Sequence, residues 1–354
     1  MYFCTYFDHR YLLRGLSLYR SLRRLCPSFQ LWVLCLDEAC YTTLSHLDLA
    51  YLNLIRLEDL EKGDTELLRA KQNRTQIEYY FTCTPSLPLY ILNNNPAVDL
   101  ITYLDADLFF FADPKPIFDE IGDHSIAIIG HRFPPALRHR EVYGLYNVGF
   151  VSFRGDENGL TCLRSWRSQC IEWCYDRIED GRFADQKYLD DWPSRFEGVV
   201  VLRHKGANLA PWNIANYNIS SKQNFVWVDD DPLIFFHFHG LKRIHDRFYD
   251  PGLSDYNVKP TKFLLKKIFA PYMAAISNVN RDLLPVIPKT IPADPLRFQT
   301  GKAKRSSSGK RDFTASGIAR GLRRRFRMYY GLFTRRYFYE GEQAYLIGPA
   351  THLL

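Results

Sequence analysis

Apolar residues in the first hundred positions alternate between runs typical of buried strands and runs typical of amphipathic helices. Residues 2–6 and 31–36 are short apolar runs, as in strands that are covered on both faces. Between them, residues 12–25 repeat apolar side chains at helical spacing until Pro27 ends the pattern. A further strand is predicted at 99–104. This alternation predicts an α/β fold in which a mostly parallel sheet is flanked by helices.

The pattern after residue 105 is less regular. Strand-like runs occur at 125–130, 147–153, 199–202 and 233–237, with a helical run at 165–176. Prolines cluster between 271 and 295, where we expect an irregular extension, and the polar run KAKRSSSGK is typical of a linker. The expected units are an α/β domain, a Pro-rich irregular or helical extension, a linker and a basic C-terminal segment, at residues 1–250, 251–300, 301–312 and 313–354.

Composition indicates a folded protein whose excess positive charge lies at one end. Hydrophobic residues make up 46% of the 354-residue chain and charged residues 24%, so a sizeable core is expected. The net charge is +7, but residues 301–354 hold twelve Lys or Arg residues against three acidic ones, which leaves residues 1–300 with −2. A body without excess positive charge disfavours nucleic acid as a partner, and we expect none.

The cysteines and the N-terminal residues indicate the cellular compartment in which the protein is expected. Eight cysteines occur without a C-x-x-C pair, which favours buried, reduced thiols over a zinc site or a disulfide framework. The chain opens on strand-like residues without a signal-peptide pattern, and no run reaches the ~18 apolar residues of a membrane span. We therefore expect a cytoplasmic protein, or one held peripherally on the inner face of a membrane.

The segment with the most chemical information is the run in which an apolar strand ends in Asp105-Ala106-Asp107. Ligands of open α/β sheets bind outside the carboxyl ends of the strands. Two carboxylates placed two residues apart at such an end can bind one divalent cation, which in turn can neutralise a diphosphate. Aspartates that only form a turn are the alternative interpretation.

Four further segments, in order along the chain, make this arrangement resemble glycosyltransferases of the GT-A fold. The resemblance is greatest to the retaining family 8 group, which includes glycogenin and bacterial lipopolysaccharide galactosyltransferases. The segments are Thr5-Tyr6-Phe7-Asp8 with Tyr11 and Gly15, Tyr146-Asn147-Val148-Gly149-Phe150, Phe183-Ala184-Asp185-Gln186, and His237-Phe238-His239-Gly240-Leu241-Lys242-Arg243. The resemblance spans roughly residues 1–245. At its end Arg243 stands at the usual Lys position, and Ile244-His245 replaces the usual Pro-Trp.

The resemblance implies a metal-dependent transferase, with residues 1–250 as its GT-A nucleotide-sugar domain. It would move a hexose from a nucleotide diphosphate sugar, with UDP-sugar the favoured donor, to a glycan or lipid-linked acceptor in cell-surface polysaccharide synthesis. Asp105 and Asp107 are expected to bind Mn²⁺ or Mg²⁺, with His237 as the third ligand and His239 as its competitor. An imidazole ligand suits Mn²⁺ better than Mg²⁺.

The same resemblance implies residues that bind the nucleotide. Gly240 would let the backbone approach the phosphates, and Lys242 or Arg243 would stabilise the departing diphosphate. Asp105 is counted among these contacts through its metal. The other expected contacts are three residues of the opening segment and one helical lysine: Thr5, Tyr6, Asp8 and Lys71.

The expected sugar pocket is lined by Asn147, Asp185 and Gln186. The resemblance implies that Asp185 accepts hydrogen bonds from sugar hydroxyls and that Gln186 lies near the anomeric carbon. A retaining outcome is expected from the family, but a covalent protein nucleophile and a front-face substitution are both open. Asp185-Gln186 at the start of a helix is the plain structural interpretation.

The basic C-terminal segment has its own pattern. Apolar residues from Ile318 to Tyr337 recur every three or four positions, with arginines on much of the remaining face. Basic amphipathic helices of this kind favour anionic membrane surfaces. Residues 316–339 are therefore predicted to contact such a surface, and packing on the main domain is the alternative.

Two other function classes compete with the transferase. A phosphohydrolase of the haloacid-dehalogenase type also follows an apolar strand with Asp-x-Asp, but its motif lies near the N-terminus, and no phosphatase Thr follows here. A non-catalytic membrane-associated adaptor would need only the basic segment. The acidic motifs of the main body disfavour the adaptor.

Overall fold

The structure is a computed structural model that describes residues 1–223, 225–245, 248–283 and 338–339. The strands of these residues are β1 (Tyr2–Phe7), β2 (Gln30–Cys35), β3 (Leu52–Arg56), β4 (Leu100–Leu104), β5 (Leu108–Phe110), β6 (Ile126–Gly130), β7 (Tyr146–Arg154), β8 (Val199–Leu202), β9 (Ile219–Lys222), β10 (Phe225–Val228), β11 (Asp231–Pro232), β12 (Phe235–His237), β13 (Lys242–His245), β14 (Phe248–Asp250) and β15 (Phe338–Tyr339). Their α-helices are α1 (Leu12–Leu25), α2 (Glu38–Leu47), α3 (Leu57–Glu61), α4 (Thr65–Gln72), α5 (Gln76–Cys83), α6 (Ser86–Asn94), α7 (Lys115–Ile121), α8 (Glu157–Glu172), α9 (Trp192–Arg195), α10 (Lys262–Leu264) and α11 (Ala270–Leu283).

A seven-stranded sheet forms the centre, with strand order β3-β2-β1-β4-β7-β6-β8. Strands β1 to β4 of this sheet pair in parallel, as do β6 and β8, whereas β7 runs antiparallel to both of its neighbours. The helices between the strands flank this sheet. The predicted α/β class with a mostly parallel sheet is therefore confirmed.

Side chains of the central strands alternate between two apolar cores. Phe3 packs with residues of α1 and α11, whereas its neighbour Cys4 packs with residues of α6 and α8. Strand β4 alternates in the same way, since Tyr103 belongs to the second core and Leu104 to the first. The period of two explains why these strands are apolar along their whole length. All eight cysteines are buried and free, as expected.

One helix differs in its bounds from the sequence-based prediction. Helix α8 covers 157–172 rather than 165–176, because Asp156 caps it and accepts a hydrogen bond from the backbone N–H of Gly159 at 2.8 Å. Within the expected irregular or helical extension, the described residues form helices as far as Leu283. Pro271 is tolerated because it follows a π-helical turn, Leu265–Phe269, where the regular hydrogen-bond ladder is already interrupted.

Residues 262–283 pack on the main body. Helix α11 lies against α1, where Arg20 forms an ion pair with Asp282 at 2.8 Å. Apolar residues of this segment, such as Phe269 and Ile276, belong to the same core as Phe3. The division into domains at residue 250 stays a prediction.

The described residues form three small sheets besides the central one, and one of these consists of β9, β10 and β11. Strand β5 pairs antiparallel with β12, which places His237 opposite Leu108. Strand β13 pairs with β14, and β14 pairs with β15, so the backbone of residues 338–339 lies beside this hairpin. The linker at 301–312 and the predicted helix of the basic segment lie outside the described residues, apart from 338–339. Within the described ranges, every helix is too short or too polar to cross a membrane.

Candidate active site

The acidic pair lies where β4 leaves the central sheet. The backbone N–H of Asp105 donates to the carbonyl of Gly149 in β7 at 3.1 Å, and the N–H of Leu108 donates to the carbonyl of Asp105 at 3.1 Å. These bonds fix a turn between β4 and β5. The N–H of Phe238 then donates to the carbonyl of Asp107 at 3.0 Å, at the end of β12. Strand pairing therefore brings a histidine from a distant part of the sequence to the two aspartates.

The side chains of Asp105, Asp107 and His237 converge. Nε2 of His237 lies 3.1 Å from Oδ1 of Asp107 and 3.6 Å from Oδ2 of Asp105. One ligand atom from each residue can be chosen so that all three atoms lie within 4.8 Å of one another. His237 is buried, whereas both carboxylates are partly accessible. The group is thus open on the side of the aspartates.

Asn147 fixes the orientation of the His237 ring. Its Oδ1 atom accepts a hydrogen bond from Nδ1 of His237 at 3.2 Å. Its Nδ2 atom donates toward Nε2 of His131 at 3.4 Å and toward Oε1 of Gln186 at 3.3 Å. The amide oxygen can only accept, so Nδ1 carries a proton, and Nε2 is the nitrogen that faces the carboxylates. Nε2 donates to Asp107 when the ring is charged and offers a lone pair when the ring is neutral.

Gly149 leaves room for this group. A Cβ atom at this position would lie 2.8 Å from Cε1 of His237, 2.8 Å from Oδ1 of Asn147 and 3.0 Å from Oδ2 of Asp105. The first two separations are too short for real Cβ contacts, and the third is tighter than most. Any side chain here would have to displace the residues that form the group.

Charge in this group favours a bound cation. Burial by itself would raise the pKa of Asp107, but His237 and then Arg14 oppose it and hold that pKa below its ordinary value. Burial lowers the pKa of His237, but Asp107 and Asp105 outweigh it and raise the pKa above its ordinary value. The two carboxylates therefore attract positive charge to the place that they share with Nε2.

The residues fit the divalent cation that the fold family implies. Two carboxylate oxygens and one imidazole nitrogen are a donor set suited to Mn²⁺, and the oxygens also suit Mg²⁺. The space that a Cβ at Gly149 would fill, and the hydrogen bond that turns Nε2 of His237 toward the aspartates, are further features of such a site. His239 is not part of the converging set, although its ring centre lies 6.0 Å from that of His237.

The predicted sugar-pocket residues lie beside this group. Gln186 accepts from the backbone N–H of Val148 at 3.5 Å and donates to the carbonyl of Tyr143 at 3.0 Å. Asp185 is buried, and its pKa is raised to about 7, chiefly by that burial. Its backbone carbonyl accepts from Nε1 of Trp166 at 2.8 Å, which anchors the segment. Asn147, Asp185 and Gln186 therefore lie in one region of the molecule.

The predicted nucleotide contacts of the opening strand are placed in different ways. Thr5 is fully buried, and its hydroxyl has no hydrogen-bond partner among the described residues. The hydroxyl of Tyr6 lies 3.1 Å from that of Thr84. Asp8 caps the following turn and accepts from Nε of Arg10 at 2.6 Å, so its carboxylate is engaged within the protein.

The residues predicted to contact phosphates differ in their surroundings. Gly240 has φ +77°, which favours glycine, and Lys242 and Arg243 follow it as half-buried residues of β13. Lys71 instead forms an ion pair with Glu61 at 2.6 Å, and its ammonium group lies over the ring of Tyr79. The role of Lys71 at a nucleotide stays a prediction.

Several site residues were missed from the sequence. Arg14 contacts Asp107, the hydroxyl of Tyr103 donates to Oδ1 of Asp105 at 2.9 Å, and the ring of Trp212 lies edge-on to that of His237 at 5.0 Å. Nε2 of His131 lies 3.4 Å from Nδ2 of Asn147. Trp212 is followed by Asn213, and this Trp-Asn pair could have served as a sequence signal, whereas a lone arginine in an arginine-rich helix gives none.

Comparison with known proteins shows the family. The chain is 33% identical over 283 residues to the uncharacterized protein YfnD of Bacillus subtilis (strain 168), covering 79% of this chain and 89% of YfnD. The chain belongs to the YfnD family. The uncharacterized protein YfnF of the same organism is 34% identical over 260 residues, covering 69% of this chain and 85% of YfnF. No protein-family model matches this YfnD-family chain.

Solved structures show the fold. The galactosyltransferase LgtC, in complex with donor and acceptor sugar analogs, superposes with a TM-score of 0.52 and 16% sequence identity. The likeness covers 78% of this YfnD-family chain and 96% of LgtC. This confirms the predicted GT-A type of α/β fold.

Proposed function

We propose that this YfnD-family protein is a metal-dependent glycosyltransferase that moves a hexose from a nucleotide diphosphate sugar to a hydroxyl of a glycan or lipid-linked acceptor. The observation that supports this most is the convergence of Asp105, Asp107 and His237 at the end of β4 in a GT-A fold. UDP-sugar is the first donor to test. The donor and acceptor analogs named for LgtC support a two-substrate reaction.

The bond changes of such a transfer define what the site must do. The anomeric C–O bond to the diphosphate breaks, a bond from the anomeric carbon to an acceptor oxygen forms, and the acceptor hydroxyl gives its proton to a base, for which an oxygen of the departing diphosphate is available. The transition state has oxocarbenium character, and negative charge grows on the departing diphosphate. A bound divalent cation supplies Lewis-acid stabilisation of that charge.

Two sets of residues would bind the cation and the leaving phosphates. Asp105, Asp107 and His237 would hold the cation, and Asn147 keeps Nε2 of His237 directed toward the aspartates. Lys242 and Arg243 of β13 would bind the leaving phosphates, since charged donors form strong hydrogen bonds to phosphate oxygens.

Asp185 and Gln186 would orient the sugar. Raising the pKa of Asp185 to about 7 keeps a large share of this carboxyl protonated near neutral pH, so it can donate as well as accept a hydrogen bond. The side-chain amide of Gln186 accepts from Asn147 and donates to the carbonyl of Tyr143. These two hydrogen bonds fix its position beside Asn147, which also contacts His237. We also propose that the transfer retains the configuration at the anomeric carbon.

The test is a turnover assay with a panel of nucleotide sugars and Mn²⁺. We expect release of a nucleoside diphosphate, lost on chelation and in Asp107→Asn, and kept in the exposed control Asp123→Asn. Release of inorganic phosphate from a phosphate ester would instead favour the phosphohydrolase. Failure to bind any nucleotide sugar would favour the adaptor.

The basic segment is tested separately. We propose that residues 316–339 bring the enzyme to an anionic membrane surface, where a lipid-linked acceptor would be found. Co-sedimentation of the full chain with anionic vesicles, compared with a variant that carries Arg323→Glu, Arg324→Glu and Arg327→Glu, measures this. Equal binding of both proteins would contradict the membrane contact and its peripheral location.

A further inference from the structure

A buried arginine of α1 lies on the side of the acidic pair opposite His237. Nη1 of Arg14 lies 3.8 Å from Oδ2 of Asp107, whereas His237 faces Oδ1 of the same carboxylate. Only 11% of the Arg14 side chain is exposed. The position lies in the first turn of α1, 93 residues before Asp107 in the sequence, so the contact is made only by the fold.

The same guanidinium reaches the loop that begins β13. Nη2 of Arg14 donates to the carbonyl of Leu241 at 2.8 Å. Leu241 follows Gly240 and precedes Lys242, which are expected to approach phosphates. The carbon of the guanidinium also lies 4.6 Å from the ring centre of Tyr11. Arg14 therefore joins the acidic pair, this loop and an exposed aromatic residue at the start of α1.

Charge at this place is unbalanced once a cation binds. An arginine side chain stays protonated in proteins. In the described structure its charge faces Asp107, but a divalent cation held by Asp105 and Asp107 would cancel both carboxylates. The charge of Arg14 would then be uncompensated in a poorly accessible position, which is costly unless an anion comes to it.

We propose that Arg14 binds the diphosphate of the nucleotide donor beside the metal. This inference rests on the proposed function and adds to it a binding residue from α1. A guanidinium presents five N–H donors, and the hydrogen bonds of Arg14 with the carbonyl of Leu241 and with Tyr11 leave other donors for a phosphate. The arginine acts as the counter-charge of the diphosphate, and it disfavours binding of the metal alone.

Two opposite effects of a neutral substitution follow. Arg14→Met removes a positive charge next to Asp107, so Mn²⁺ alone should bind as tightly as before or more tightly. The same substitution removes a partner of the phosphates, so a nucleoside diphosphate in the presence of saturating Mn²⁺ should bind at least about tenfold more weakly. A nucleoside monophosphate should lose much less. Damage to the fold would instead weaken all three.

The experiment measures binding of MnCl₂, of UDP with Mn²⁺ and of UMP with Mn²⁺ by calorimetry. The proteins compared are the full-length wild type, Arg14→Met, Arg14→Gln and Arg14→Lys, with Arg23→Met at an exposed position of α1 as the matched control. Arg14→Lys keeps the positive charge but loses the planar set of N–H donors of the guanidinium, so we expect an intermediate loss of UDP affinity. If Arg14→Met fails to fold, Arg14→Gln answers the same question.

The outcomes separate this inference from the proposed function. If the neutral variants lost affinity for Mn²⁺ and for UDP equally, Arg14 would only stabilise the loop at Leu241, and the inference would be wrong. An unchanged affinity for UDP would also overturn it. A wild type that binds no nucleoside diphosphate, tested over the common bases, would contradict the proposed function and this inference with it. A wild type that binds UDP while Arg14→Met binds it equally well would overturn the inference alone.

Discussion

Nδ1 of His237 lies 3.2 Å from Oδ1 of Asn147, and this contact decides which nitrogen of the imidazole faces the aspartates. With a proton held on Nδ1, Nε2 lies 3.1 Å from the carboxylate of Asp107, where it donates to that carboxylate when the ring is charged and can bind a cation once its own proton is lost. A metal-binding imidazole commonly donates its other N–H to such a partner. The amide of Asn147 thus prepares His237 as a ligand before any cation arrives.

The first prediction concerns this amide. Asn147→Leu removes the acceptor of the His237 N–H at similar volume, so we expect Mn²⁺ affinity to fall by about 10- to 100-fold. Nitrogen NMR of histidine-labelled protein should also show His237 losing its preference for the Nδ1-protonated form. Asn94→Leu, at the exposed end of α6, is the control. Unchanged affinity and an unchanged tautomer would show that Asn147 does not orient this ring.

The second prediction concerns the glycine of β7. Gly149→Ala places a Cβ within 3.0 Å of Oδ2 of Asp105 and 2.8 Å of Cε1 of His237, so the ligands must separate. We expect Mn²⁺ affinity at least about tenfold lower, measured by calorimetry. Gly155→Ala follows the same strand and meets only ordinary contacts of 3.6 Å or more. A Gly149 variant that binds Mn²⁺ as well as this control would refute the packing argument.

The third prediction is a change in stability on metal binding. A ligand that binds only the folded state stabilises it by mass action, by about 2.7 kcal/mol at a concentration of 100 Kd. We expect Mn²⁺ to raise the melting temperature of the wild type, and chelation with EDTA to reverse the rise. Asp107→Asn should show no such rise, because one of the two carboxylates is lost. An equal rise in both proteins would place the stabilising cation elsewhere.

The fourth prediction follows from the buried carboxyl of Asp185. Its pKa is raised to about 7, chiefly by burial, so the folded protein keeps this proton to higher pH than the unfolded chain does. The unfolded chain releases it near pH 4, and the free energy of unfolding therefore falls as the pH rises from about 4 to about 7. Above pH 7 this loss stays constant.

Asp185→Asn removes that dependence. We expect the variant to gain stability relative to the wild type by about 2–3 kcal/mol between pH 5 and pH 8, measured by urea unfolding at both pH values. Asp123→Asn, on the exposed surface, should leave the difference unchanged. A variant whose stability follows the wild type at every pH would mean that Asp185 titrates at its ordinary pKa.

Local pattern was enough to predict the strands that form the central sheet and several of the helices that flank it. The apolar run before Asp105 and the helical spacing after Leu12 depend only on neighbouring residues, and both elements form as predicted. Helix α8 was misplaced because Asn158 and Gly159 interrupt its apolar pattern. The glycine is required there, since a Cβ would lie 2.2 Å from the carbonyl oxygen of Arg154.

The candidate site was predictable only in part. Asp105, Asp107 and His237 belong to motifs with a family resemblance, and these three do converge. Arg14 acts through contacts made across the fold, and a single arginine carries no distinctive local pattern. Gly149 lies in a segment that carries the resemblance, but the space that it leaves for His237 is seen only in the fold. Lys71 illustrates the reverse case, because its partner Glu61 lies on α3 and no pattern in the sequence indicated that ion pair.

The central claim is that Asp105, Asp107 and His237 bind one divalent cation together with a nucleoside diphosphate. Anomalous diffraction at the manganese edge, from crystals soaked in MnCl₂ and UDP, measures this directly. We predict one strong peak within bonding distance of a carboxylate oxygen of each aspartate and of Nε2 of His237, with phosphate density next to it. A peak elsewhere, or no peak among these three residues at saturating Mn²⁺, would contradict the claim.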